Sequence, residues 1–172
     1  MEEDDKYSKL ELVEVAYGDD EPQKSTDQTA ALLEKYPDLK VICAPTTVGI
    51  AAAAKYLQDN ESACKLTGLG LPSEMKNYMP ATADDDEFSF VCPYMMLWDV
   101  SHLGASTAAI QMAVQNDGFD GSAGSTVDME AWGEYEAETF TAEDNGDGGT
   151  GVLTGQPYVF YKDNMAEWVD KL

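Results

Sequence analysis

The stretch LKVICAPTTVGIAAAAKYLQDN, residues 39–60, constrains the fold more than any other. An apolar run closes on Pro45, two hydroxyls follow, and an alanine-rich pattern of helical period begins at once. A strand without polar alternation has both faces buried, which is the mark of a parallel sheet covered by helices. The flanking segments repeat the theme. LELVEVAYG (10–18) alternates apolar and polar residues and predicts a strand with one buried face. GDDEPQKSTDQ reads as a turn in which Asp20 or Ser25 can cap a helix over residues 23–36. Ala30, Leu33 and Tyr36 fall on one side of that helix, and Pro37 and Asp38 end it. CKLTGLGLP (64–72) is a third strand running into a glycine loop, and SEMKNYM opens a further helix with Ser73 as N-cap. The order β-α-β-α-β-α predicts an α/β fold with three layers, α-β-α, around a mostly parallel sheet.

The remainder changes character. DDDEFSFVCPYMMLW (84–98) turns from acidic to apolar and aromatic and predicts another strand. DVSHLGASTAAIQMAVQND is a helix with Leu103, Ile110, Ala113 and Val114 along one face. TVDMEAWGEYEAETFT alternates as antiparallel strands do, EDNGDGGTG is a turn, and the chain closes with a strand and a short helix. No internal repeat or long flexible linker interrupts residues 10–172, which read as one domain behind an acidic tail, residues 1–9.

Charge excludes whole classes of partner. The chain has a formal net charge of −23, which repels nucleic acid and anionic lipid alike. All ten of its cationic residues are lysines, so bidentate grips on phosphate or carboxylate are disfavoured. The alanine-rich run around Val48–Leu57 is too short to span a membrane and contains Lys55. MEEDDKYSK is acidic where a signal peptide needs a basic region, so if the protein works outside the cytoplasm its export signal is expected to be lost, removed or outside this sequence. Cys43, Cys64 and Cys92 have no paired spacing and only His102 to help them, which predicts buried free thiols and no structural zinc.

Few motifs carry chemistry. GLGLPS (68–73) sits where a dinucleotide fingerprint would, but Ser73 replaces its third glycine. EDNGDGG resembles a calcium loop only in part. Thr154 stands where a bidentate Glu belongs, so a hairpin turn is the better reading and no metal is expected. Ser101 and His102 are adjacent, which is the wrong spacing for a nucleophile and base on a helix, and His102 is expected at a surface or an interface. No catalytic residue and no cofactor is assigned. Trp98 and Asp99 at a strand end suit a sugar site, the indole for the ring's C–H groups and the carboxylate for its hydroxyls. A core tryptophan followed by a helix-capping aspartate explains the pair equally well.

Five segments together carry a resemblance: YGDDEPQKS (17–25), EKYPDLKVICAPTTVGIAAAA (34–54), LTGLGLPSEMKNY (66–78), LWDVSHLG (97–104) and TGVLTGQPYVFYKDNM (150–165). In order and spacing they resemble the carboxyl-terminal part of type 1 periplasmic sugar-binding proteins, the extracytoplasmic receptors of ABC importers, in the branch that binds rhamnose or autoinducer-2. The resemblance implies a two-lobed receptor closing on a sugar, with a membrane permease as partner and no catalysis. It places residues 10 to 97 in the carboxyl-terminal lobe and 99–125 in the other. It also implies that the amino-terminal lobe, and the first strand and helix of the carboxyl-terminal one, are not in this chain. Pro45 and Thr47 match ligand-touching positions of that branch, and Thr46 between them is a hydroxyl partner. Gly70 and Leu71 fall where related receptors place an acid, and Trp98 and Asp99 fall at the final crossover.

Two functions follow. One is a sugar-binding component of an importer, or a truncated remnant of one. The other is a stand-alone α/β interaction or oligomerisation module, its uncovered surface met by the missing lobe or by a second copy.

Overall fold

Parallel pairing organises the first part of the molecule. The computed structural model describes residues 5–116, 118–133 and 135–172; residues 1–4 of the acidic tail, and Asp117 at the end of the predicted fourth helix, lie outside the described residues. The chain forms two units, one of the residues through Met96 together with Val159–Leu172, the other of Leu97–Tyr158.

In the first unit, helix α1 (Pro22–Lys35) leads to strand β1 (Val41–Ala44), helix α2 (Thr47–Asp59), strand β2 (Lys65–Gly68) and the short helix α3 (Pro72–Met75). β1 and β2 pair in parallel, with Val41 opposite Lys65 and Ala44 opposite Gly68. Strand β3 (Met95–Leu97) continues the sheet through a parallel bridge between Leu69 and Met96. Helix α2 buries Ile50, Ala53, Ala54 and Leu57 on one face, a spacing of three and four residues that forms a continuous apolar stripe. The alanines keep the helix thin where it also meets α1. Ile50, Leu57, Leu66, Met75, Met79 and Met95 are almost wholly excluded from water.

The second unit packs helix α4 (Val100–Gln115) on an antiparallel meander of strands β4 (Thr126–Met129), β5 (Glu138–Asp144) and β6 (Thr150–Val152). Burial alternates along β4 and β5, as period-two side chains require, and Val127 faces Phe140 across the ladder. Phe119, Val127, Met129, Phe140 and Ala142 form its core. Strand β7 (Tyr158–Phe160) pairs with β3 where the chain returns to the first unit, and helix α5 (Met165–Trp168) follows.

Several expectations are corrected. Residues 10–18 have no regular secondary structure and join no ladder among the described residues, and Leu12, Val15 and Tyr17 are exposed. Neither Asp20 nor Ser25 caps α1. Glu21 occupies the N-cap without a side-chain bond, Asp20 adopts a left-handed turn, and Ser25 is buried within the helix. Ser73 lies inside α3, whose N-cap is Leu71, and its N–H donates to the Leu172 carbonyl at 2.9 Å. Of residues 84–98 only Met95–Leu97 form a strand. In α4 the small residues Ala105, Ala109 and Ala113 pack with Ile110 on the core, whereas Leu103 and Val114 are exposed. Close approach to β4 favours the side of the helix with little bulk.

Cys64 and Cys92 are buried free thiols, and burial pushes the Cys92 thiol up to about 12. Cys43 is exposed, against expectation.

Phe140→Ala should cost about 3–5 kcal/mol by leaving a cavity in the meander core. Urea unfolding followed by hydrogen exchange checks this: the amides of β4 and β5 should lose protection before those of β1 and β2.

Candidate functional site

The carboxyl end of β1 is where the local sequence concentrates polar groups. Pro45 cannot extend the ladder, so the strand stops and the chain turns into α2. Thr46 is the N-cap: its extended backbone ends the loop and its Oγ1 accepts the Gly49 N–H at 3.0 Å. Glycine is required at 49, since a Cβ there would lie 2.8 Å from that oxygen. Pro45 and Thr46 are exposed and Thr47, the first helical residue, is half-buried. Unpaired N–H groups of a first helical turn also present here, favouring electron-rich ligand atoms.

Beside it, the carboxyl end of β2 carries Gly70 and Leu71. β1 and β2 are paired neighbours, so the structure brings these two groups of predicted residues to one end of one sheet. Gly70 is nonetheless a packing residue. A Cβ there would meet Met95 Sδ at 2.7 Å, Met75 Cγ at 3.1 Å and Ile50 Cγ2 at 3.2 Å. Its N–H donates to the Met96 carbonyl at 3.1 Å, and the Leu71 carbonyl accepts from Glu74 and Met75 as α3 begins.

Trp98 and Asp99 follow β3 and belong to the second unit. Trp98 is 46% exposed, which removes the core-tryptophan reading. Asp99 is the N-cap of α4: Oδ1 accepts from the N–H groups of Ser101 (2.9 Å) and His102 (3.1 Å). Its Oδ2 accepts from the Tyr135 hydroxyl at 2.9 Å. Burial pushes the Asp99 carboxyl up, but the bonds from His102, Tyr135 and Ser101 outweigh it and hold the group below its ordinary value.

Two residues that the sequence reading missed support this corner. Tyr135 stacks on Trp132 with ring centroids 5.9 Å apart and planes 9° from parallel, and Trp132 is itself 58% exposed. The aromatic pair in AWGEY was the available signal. His102 is half-buried. It packs against Tyr135 and Phe140, with Nε2 3.3 Å from a Glu138 carboxylate oxygen.

A shallow cavity of about 360 Å³ lies elsewhere, at the amino end of β2, opposite to Gly70 and Leu71. Its Lys65 ammonium is occupied by the carbonyls of Phe88 (2.6 Å) and Phe90 (3.0 Å). Among the described residues no cluster of His, Cys, Asp and Glu could hold a metal ion, and no helix is long and apolar enough to cross a membrane.

Two variants check these assignments. Gly70→Val should destabilise by about 1–3 kcal/mol through overpacking, read as a lowered urea midpoint. Asp99→Ala should cost about 1 kcal/mol for the lost cap, and Asp99→Asn less. A carboxyl lowered by folding stabilises above its unfolded pKa, and that contribution fades as pH falls through the folded value. The advantage of the wild type over Asp99→Asn should therefore be full at neutral pH and vanish on the acid side of the ordinary carboxylate range.

Comparison with known proteins matches this architecture. The family profile described as a periplasmic binding protein domain matches residues 1–118. An ABC transporter solute-binding protein from Clostridium phytofermentans, solved with bound L-rhamnose, is 44% identical with a TM-score of 0.82, over 97% of this chain and 51% of that one. A sugar ABC transporter structure from Actinomyces odontolyticus is 33% identical with a TM-score of 0.70, over 97% and 49%. LsrB from Clostridium saccharobutylicum, in complex with AI-2, shares the fold at 18% identity and a TM-score of 0.71, over 95% and 50%. No curated protein matches. This chain spans about half the length of the solved structures it resembles, and it belongs to the periplasmic binding protein family.

Proposed function

We propose that the chain works as the sugar-binding component of an ABC-type importer, or as a remnant of one, and contributes one side of a site for a rhamnose-like or autoinducer-2-like sugar. The observation that carries this reading is the 44% identity, across nearly the whole chain, with a solute-binding protein that holds L-rhamnose. The site chemistry agrees with it. Sugar recognition needs hydroxyl donors and acceptors beside an apolar platform.

Thr46 Oγ1 already accepts from Gly49, so its proton and one lone pair are what it offers a sugar hydroxyl. Thr47 adds a second hydroxyl, and Pro45 a carbonyl fixed at the strand end. Gly70 and Leu71 offer backbone only. Trp98 supplies the exposed indole. Asp99 has three of its roughly four acceptor positions filled, so one remains for a sugar hydroxyl while the others hold the carboxylate still.

Closure on the sugar favours one conformation by differential binding, and that conformation is what a permease reads. This work belongs outside the cytoplasm, and it involves binding alone. Nucleic acid is no partner for a chain of charge −23.

Calorimetric titration with L-rhamnose tests the reading. A saturable heat is expected, weakened about tenfold by Trp98→Ala, equivalent to about 1.4 kcal/mol, and weakened also by Thr47→Ala. No heat with L-rhamnose or related sugars at millimolar concentration would overturn it.

A further inference from the structure

The turn between β5 and β6 holds chemistry that a sugar site does not use. Asn145 is the only asparagine of the chain followed by glycine. The side-chain amide of an asparagine is open to attack at Cγ by the backbone nitrogen of the next residue, and the rate depends on how freely the two groups meet. Residues 145–149 are exposed. Gly146 has a φ of 78°, a conformation that favours glycine, and a Cβ there would meet nothing within 4 Å. No side chain obstructs the approach. The Gly146 N–H donates to Asp144 Oδ1 at 2.7 Å, so a carboxylate already faces the proton that has to leave.

The other asparagines are pinned or screened. Asn60 Nδ2 donates to the Tyr56 carbonyl at 2.8 Å. Asn164 accepts from the Tyr161 N–H and donates to the Val159 carbonyl, both at 2.9 Å. Asn60, Asn77, Asn116 and Asn164 all precede a residue with a side chain. At Asn145 only the backbone is engaged, its N–H donating to the Gly149 carbonyl at 3.0 Å. Its side-chain amide has no hydrogen-bond partner among the described residues. That amide lies over Gly151, where a Cβ would stand 2.8 Å from Oδ1.

We propose that Asn145 is a site of spontaneous modification, converting through a cyclic imide to aspartate and isoaspartate, and that the conversion frees β6 from the meander. The Gly146 nitrogen bonds to Asn145 Cγ, the Cγ–Nδ2 bond breaks, and the displaced proton ends on the ammonia that leaves. Water, the only co-reactant, then opens the imide at either of its carbonyls. One opening leaves an aspartate in an unchanged main chain. The other routes the main chain through the side chain and lengthens it by a methylene.

Strand β6 is poorly placed to absorb either product. It is tied to β5 by three pairs, Ala142 with Val152, Glu143 with Gly151 and Asp144 with Thr150. The new carboxylate arrives close to Glu143, Asp144 and Asp147, in a unit whose residues, 97–158, include no lysine or arginine. Like charges without a counter-charge repel. Isoaspartate in addition lengthens the turn that sets the register of the hairpin. Loss of β6 withdraws Val152 from the core it packs against.

The test incubates the full chain in mildly alkaline buffer and follows it by peptide-mapping mass spectrometry, by enzymatic methylation of isoaspartate and by amide exchange. Conversion at Asn145 is expected to run at least about tenfold faster than at any other asparagine, to quicken as pH rises and to yield isoaspartate. Protection of the β6 amides should fall in step with the converted fraction, while the β1–β2 ladder keeps its own. Asn145→Gln has to close a larger ring, so it should keep both its mass and its β6 protection over the same incubation. Conversion at Asn145 no faster than at the other asparagines would overturn the proposal. So would a converted protein whose β6 stays as protected as that of Asn145→Gln.

Discussion

The parallel ladder between β1 and β2 is the constraint on which the first unit rests. Its four-residue register ends both strands at the same level, so Pro45 and Gly70 turn the chain at one end of the sheet. Helix α2 then has to return over the sheet face, and its stripe of Ile50, Ala53, Ala54 and Leu57 fits because it carries so little bulk. Gly70 completes the arrangement from below, leaving room for Met95 and Met75 where any side chain would intrude. The polar groups at the lip of the sheet are thus positioned by apolar packing beneath them. Thr46 is the clearest case, since one hydroxyl both starts the helix and faces outward.

Much of this was legible in the sequence. The run VICA, stopped by proline and followed by an alanine-rich period, allowed little besides a strand and a helix, and both lie within two residues of where the pattern puts them; the expected burial of both strand faces is not found, since Val41 and Cys43 are exposed. Alternation in TVDM and ETFTAED likewise gave the antiparallel meander. What failed was information about partners. LELVEVAY has the alternation of a strand but joins no ladder among the described residues. Leu103, Ile110, Ala113 and Val114 read onto one face of α4; Ile110 and Ala113 do pack on the core, but Ala105 and Ala109 join them there and Leu103 and Val114 are exposed. Tyr135 stands 36 residues from the Asp99 carboxylate it bonds, and no spacing rule reaches that far.

The two groups of predicted residues, one in each unit, are built on different principles. At β1 the polar groups come from a strand end and a helix start, so they are held by backbone. At Asp99 they come from a side-chain network, a carboxylate locked by two amides and a tyrosine whose ring rests on Trp132. A backbone site tolerates sequence change around it and keeps its geometry. A network is altered by the loss of any one of its members.

The three thiols differ in a way that has practical weight. Cys64 and Cys92 are sealed in the interior, and burial discourages ionisation of both. Cys43 alone is open to solvent, two residues before Pro45. A maleimide dye or spin label added to the unmodified protein would therefore go to a single address, beside the polar lip of the sheet. The molecule already carries its own reporter position, and no cysteine has to be engineered to watch that place.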